Sequence, residues 1–225
     1  MSRRYHILLA VLILLLPSCA KENSGGWGDH YLEGETADFL AILTIKKTPT
    51  DTVYFQLDDS TTIYAANYQY DYTRMEKVFC DISVTNRPEG RFKYKGYINW
   101  LEPIEEGQVT ADASASGNLG LDILDDWMTS VEDGYLTIHY NTWWGSKPVQ
   151  HKMYVITGTN PADPYELVLR QDACGDKKDE KGDALICFDI NSLPETGDNY
   201  TELKLKWTSS GGTAAEKTFK FKTRK

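Results

Sequence analysis

The stretch Val78-Phe79-Cys80-Asp81-Ile82-Ser83-Val84-Thr85 alternates with a period of two. Val78, Cys80, Ile82 and Val84 fall on one face, and Phe79, Asp81, Ser83 and Thr85 on the other. That period belongs to a β-strand buried on one side. The same pattern spreads outward in both directions. Downstream, Arg87-Pro88-Glu89-Gly90 is a hairpin turn, and Phe92, Tyr94, Gly96, Ile98 and Trp100 line the inner face of the next strand. Upstream, Phe39, Ala41, Leu43 and Ile45 alternate, Pro49 and Asp51 turn the chain, and Val53, Phe55 and Leu57 follow. Asp58-Asp59-Ser60 turns it again into a short strand, Thr61–Ala65. No stretch here carries a 3.6-residue apolar period. Five short antiparallel strands in about 70 residues predict a small closed barrel of OB type over residues 37–108. Gly96, among large neighbours, predicts a bulge or bend of the kind small closed barrels need. Cys80 faces the predicted core, where a thiol behaves as a small, inert hydrophobe.

Glu102 to Gly120 reads as a boundary, broken by Pro103, Gly107, Gly117 and Gly120. Leu121–Met128 reads as a short edge strand. Six strand-like runs follow. Gly134–Trp144 with Val149–Gly158, Tyr165–Asp172 with Asp183–Ile190, and Tyr200–Thr208 with Lys217–Lys222 are predicted to form three hairpins. They predict an antiparallel, immunoglobulin-like β-sandwich over residues 109–225. The expected fold class is therefore all-β, a barrel followed by a sandwich.

The N-terminus has a different character. Arg3 and Arg4 precede an apolar run from Ile7 to Leu16, too short to span a bilayer as a helix but suited to a signal peptide. Leu16-Pro17-Ser18-Cys19 resembles the lipobox of bacterial lipoproteins. The expectation is a signal peptide over residues 1–18, a lipid on Cys19 that fixes the chain to a membrane, and a polar tether over residues 19–36. Lys21-Glu22 looks like the sorting signal that places some lipoproteins of Gram-negative bacteria on the outer face of the outer membrane. Surface exposure is therefore expected in preference to a periplasm-facing position.

Removal of residues 1–18 takes the 24 basic residues to 22, against 33 acidic ones, so the acidic balance deepens from a net charge of −9. An acidic body repels nucleic acid, and none is expected as a partner. With Cys19 lipidated, Cys80, Cys174 and Cys187 remain, enough for one intramolecular disulfide. Cys174 and Cys187 flank the loop GDKKDEKGDALI. Pairing Leu169 with Phe188 in a hairpin leaves the two thiols about 13 Å apart, so a bridge needs another register or a bulge. There is no Cys-x-x-Cys pair, and the loop's acids depart from calcium-loop spacing and alternate with lysines. No metal and no cofactor is expected. The loop reads instead as a solvated hairpin tip.

If Trp144 pairs with Val149, Trp143, Tyr154, His139 and Asn141 share one outer face. They would make an aromatic and polar platform for a sugar ring or a protein, unless the other domain covers that face. For catalysis, no nucleophile–base pair can be assembled, and adjacent acids such as Asp125-Asp126 point apart. The chain is not expected to be an enzyme.

Leu57–Asn67, Val78–Thr85 and Phe92–Ile104, together with Tyr165–Cys174, Ala184–Leu193 and Leu203–Trp207, resemble the two halves of NigD-like proteins. The resemblance implies a secreted bacterial lipoprotein with an N-terminal OB-type barrel and a C-terminal β-sandwich. It also implies an association with bacteriocin genes, and it carries over no catalytic residue. The Cys174/Cys187 pair and the tether containing Gly and Trp depart from the family pattern. The function expected is non-catalytic binding of a protein or other macromolecule at the outer membrane. A glycan-binding module using the exposed aromatics of the sandwich is the alternative.

Overall fold

The structure, a computed structural model, describes residues 36–68, 75–112, 114, 117, 119–147 and 149–224. The expected signal peptide, Cys19 and the expected tether up to residue 35 lie outside the described residues, and Thr36, placed in the tether by the sequence, already belongs to the first strand. All regular structure among those described is β, with no helix.

The barrel has five strands: β1 (Thr36–Lys47), β2 (Val53–Gln56), β3 (Thr62–Ala65), β4 (Glu76–Thr85) and β5 (Tyr94–Pro103). They close in the order β1-β2-β3-β5-β4. The pairs are antiparallel except β3 with β5, which is parallel. This is the OB-type barrel that the alternating stretches predict. Leu43, Ile45, Phe55, Ile63, Val78 and Ile82 fill its interior. Cys80 is buried among them, and burial pushes its thiol up to about 12.

The bulge expected on β5 is present, three residues beyond Gly96. Ile82 faces Ile98 and Asp81 faces Trp100, so Asn99 is the extra residue. An inserted residue reverses the parity of everything after it. Trp100 therefore turns outward and is exposed, while Leu101 packs on the barrel core. Gly96 serves a close approach instead of a bend. A Cβ there would lie 2.7 Å from Ile63 Cγ2, so its absence lets β3 and β5 pack tightly.

Ten strands follow: β6 (Glu105–Glu106), β7 (Gln108–Thr110), β8 (Asp122–Ile123), β9 (Ser130–Glu132), β10 (Tyr135–Trp144), β11 (Lys152–Ile156), β12 (Glu166–Asp172), β13 (Glu180–Asp189), β14 (Thr201–Thr208) and β15 (Ala214–Phe221). One sheet runs β6-β13-β10-β8 with β9 also on β10; the other runs β15-β14-β12-β11-β7. Leu136, Ile138, Val155, Leu167, Phe188 and Leu203 meet between them. The chain enters the sandwich at Glu105, which pairs with Ile186, so the switch of domain comes before residue 108.

Of the three predicted hairpins only β14–β15 forms. β10 pairs with β13 and β11 with β12, so each of the other two predicted pairs is split between sheets. Alternation fixes which side of a strand meets the core. It does not say which sheet the strand joins, because both sheets bury their inner faces in one core. The sheets are also mixed, since β6 with β13, β7 with β11 and β12 with β14 are parallel.

Candidate functional site

The barrel docks on the outer face of the β10–β13 sheet, and its longest strand shows how. Ala41, Leu43 and Ile45 point into the barrel, while Ile42 packs under the sandwich beside Ile104, Tyr135 and Cys187. Both sides of β1 are covered, so Ala41 to Ile45 is a run of five buried residues. Two basic side chains lie over the Tyr135 ring, with Lys77 Nζ 5.6 Å and the Arg224 guanidinium 4.9 Å from its centre. Burial pushes the Lys77 ammonium down, against the pull of Asp133 and Glu132.

Two turns meet at this junction. In the first, Asp58 Oδ1 accepts from the backbone N–H groups of Ser60 and Thr61 and from the Ser60 hydroxyl, at 2.8–2.9 Å. That is an Asx-turn, the expected use of an Asp at the start of a tight turn. In the second, Asp133 and Gly134 have φ of 53° and 73° and join Glu132 to Tyr135. That is the two-residue hairpin loop favoured by Asp-Gly. Asp133 then accepts from Lys46 Nζ at 2.5 Å, and its N–H donates to Asp59 at 3.2 Å. The Tyr200 hydroxyl donates to the other Asp59 oxygen at 2.6 Å, and this bond raises the phenol's pKa.

Between the turns is a cavity of about 560 Å³ that opens into the end of the barrel. Ile63, Val84 and Tyr94 form apolar walls, Trp127 and Leu40 lie at an exposed rim, and Asp58, Thr61 and Glu132 bring polar groups to it. The volume is that of a small-ligand pocket. Asp58 Oδ2 and Thr61 Oγ1 are buried and have no hydrogen-bond partner. Glu132 is pushed up to about 7, first by burial and then by the negative charge of Asp59. Lys77 opposes this, and Asp58 and Asp133 add to it. Among the described residues, no three His, Cys, Asp or Glu side chains converge as a metal site.

The platform expected on the sandwich does not assemble. His139, Asn141 and Trp143 alternate with the core residues of β10 and so face outward from one sheet. Tyr154, between the buried Met153 and Val155, faces outward from the other. The correction follows from the split hairpin. His139 is instead a buried stitch: Nδ1 lies 2.6 Å from Asp126 and Nε2 3.1 Å from Asp183. Trp143 lies under Lys181, with Nζ 5.5 Å from its ring centre. The Asn141 side-chain oxygen is buried and unpartnered. The barrel covers the far end of the same face, at Tyr135 and Cys187.

Cys174 and Cys187 both remain thiols. Cys174 sits at φ 52° in an exposed turn after β12, whereas Cys187 is buried on β13 beneath the barrel. The structure does not bring them together. The loop between them is exposed over most of its length, as expected, but it joins two sheets instead of closing a hairpin, and its Asp176 side chain turns inward. Asp176 is buried and accepts from the Gly145 N–H at 2.9 Å, while His151 Nε2 lies 3.0 Å away. The His151 ring stacks on Trp144 at 4.5 Å.

Sequence reasoning does not find the cavity, because its polar residues come from positions 58, 61 and 132 and meet only when the domains dock. One signal does point to it: Asp133-Gly134 announces a hairpin that turns Glu132 toward the barrel.

Comparison with known proteins agrees with this architecture. No curated protein matches the sequence significantly. Among solved structures, a candidate toxin-related protein of Parabacteroides distasonis is similar over 82% of this chain and 93% of its own, with 22% identity and a TM-score of 0.67. A NigD-like immunity protein of Bacteroides caccae is similar over 80% and 91%, with 15% identity and a TM-score of 0.56. A candidate lipoprotein of Bacteroides fragilis is similar over 84% and 100%, with 10% identity and a TM-score of 0.55. At such identities these likenesses speak for the fold. Residues 102–221, more than half of the chain, match the NigD-like C-terminal beta sandwich domain. With its barrel and its sandwich both in place, the chain belongs to the NigD-like family.

Proposed function

We propose that this protein is a non-catalytic lipoprotein, held in the outer membrane through Cys19 with its β-body on the cell surface, where it binds a protein partner. The observation that carries the binding role is an exposed aromatic cluster, Trp100 and Trp127 about Phe79, with ring centres 5.3 and 6.2 Å from Phe79. Leu40 pairs with Asp81 and Asp81 with Trp100, so Leu40 flanks the cluster on the same outer face of the barrel, across the half-buried Asp81. Trp127 carries the cluster to the cavity rim. Tryptophan is the residue most often found at the energetic centre of protein interfaces. The lipid anchor is supported by the lipobox-like Leu16-Pro17-Ser18-Cys19 and by the likeness to a candidate lipoprotein. The first partner to try is a bacteriocin-type toxin. The family name suggests this, as do the immunity and toxin-related names of two similar structures.

The test is recovery of partners from intact cells by the tagged protein and by the double variant Trp100→Ala, Trp127→Ala. A partner retained by the wild type and lost from the variant is expected. Equal recovery by both, or none by either, would sink the reading. In parallel, Cys19→Ala should move the protein out of the membrane fraction. The glycan-binding alternative is not proposed, because Tyr154 faces away from the other three residues of its platform.

A further inference from the structure

We propose that the cavity between the barrel and the β9–β10 turn is a binding site for a small organic cation, an apolar body of ring size bearing a primary ammonium. This goes beyond the proposed partner binding and does not depend on it.

Asp58 and Thr61 are 5% and 1% exposed, and each lines the cavity. Oδ1 of Asp58 is fully used by its turn, so that oxygen cannot relax toward another role. Oδ2 and the Thr61 hydroxyl have no partner. A buried polar atom left unsatisfied costs about 1–3 kcal/mol, and native proteins keep few of them. Two on residues of one pocket indicate a ligand that supplies what they lack.

The missing group is a donor, because a carboxylate oxygen only accepts. Its charge follows from the surroundings. Glu132 also lines the cavity. Asp58, Asp59 and Asp133 are near enough to act on it, and Lys77 is the cation that opposes them. A neutral hydroxyl would donate one hydrogen bond and leave that negative field in place. An ammonium carries three donors for the acceptors that line the cavity, and it offsets the charge. The absence of a three-ligand cluster among the described residues argues for an organic cation over a metal ion. The apolar walls and the rim indole of Trp127 suit a hydrophobic or aromatic body. Asp58 Oδ2 and Thr61 Oγ1 are sealed from solvent, so entry of the head group requires rim side chains to turn. Such rotamer changes commonly accompany binding.

Calorimetric titration of the protein purified from the full chain tests this with three compounds that share an indolylethyl body: tryptamine, the neutral tryptophol and the anionic indole-3-propionate. Tryptamine is expected to bind, tryptophol about tenfold or more weakly, and indole-3-propionate not at all. Asp58→Asn keeps Oδ1 for the turn and replaces Oδ2 with an N–H₂ that faces the ammonium. It should weaken tryptamine about tenfold or more in a protein that melts no lower than the wild type. Thr61→Val should weaken it less. Affinity should rise with pH through about 7, as Glu132 ionises. Failure of tryptamine to bind, equal binding of tryptophol, or indifference to Asp58→Asn in a protein that melts normally would each overturn the proposal.

Discussion

Glu132 holds its proton up to about pH 7 because burial strips water from the carboxyl and Asp59 repels the charged form. An unfolded glutamate releases it near 4.5. Between those values the folded state binds more protons than the unfolded one, so stability falls as pH rises, and the loss is complete above the folded pKa. Glu132→Gln removes the titration. It should therefore leave stability near its wild-type value at pH 4.5 and raise it at pH 8, by on the order of 2 kcal/mol. Urea denaturation at the two pH values checks this. A variant less stable than wild type at pH 8 would mean that the charged form, paired with Lys77, is favoured instead. At this scale the sequence is informative about local bonds, as the Asp58 turn shows. It is silent about charge coupling, since Glu132 and Asp59 are far apart along the chain.

Strand β5 shows what one residue does to an element. Ile98 is buried as alternation requires, but the bulge at Asn99 turns Trp100 outward and makes it part of the exposed aromatic cluster. The Arg87–Gly90 turn is readable because turns follow from local chemistry. The position of the bulge is not, because the extra residue is defined only by the strand opposite. Gly107 marks another such point, where the chain passes from β6 in one sheet to β7 in the other. Its N–H donates to the Cys187 carbonyl at 2.8 Å, and a Cβ there would fall 2.2 Å from Phe188 Cε1 in the sandwich core. Gly107→Ala should destabilise the protein by about 1–3 kcal/mol, the usual cost of overpacking. A thermal melt unchanged from wild type would show that Phe188 can move aside at no cost.

The whole molecule is two β-bodies joined by a buried face, and Tyr135 is its centre. Its ring is contacted by Lys77 of the barrel and by Arg224 after the last strand, and Arg224 also donates to Asp189 at 2.8 Å. Tyr135→Ala should cost about 3–5 kcal/mol and weaken the coupling of barrel and sandwich. Calorimetry should show one transition in the wild type and two in the variant; a single transition in both would place the coupling elsewhere. Taken alone, the sequence determined the all-β class, the long strands, most of their inward faces and the family resemblance, but not the short strands β6, β7 and β9. These follow from side-chain alternation and turn chemistry, which act over a few residues. Only the tertiary structure decided which sheet each sandwich strand joined, because either choice buries the same face. It also decided which outward residues became a junction and a cavity, because Asp58, Thr61 and Glu132 acquire a common environment only when the barrel packs on the sandwich.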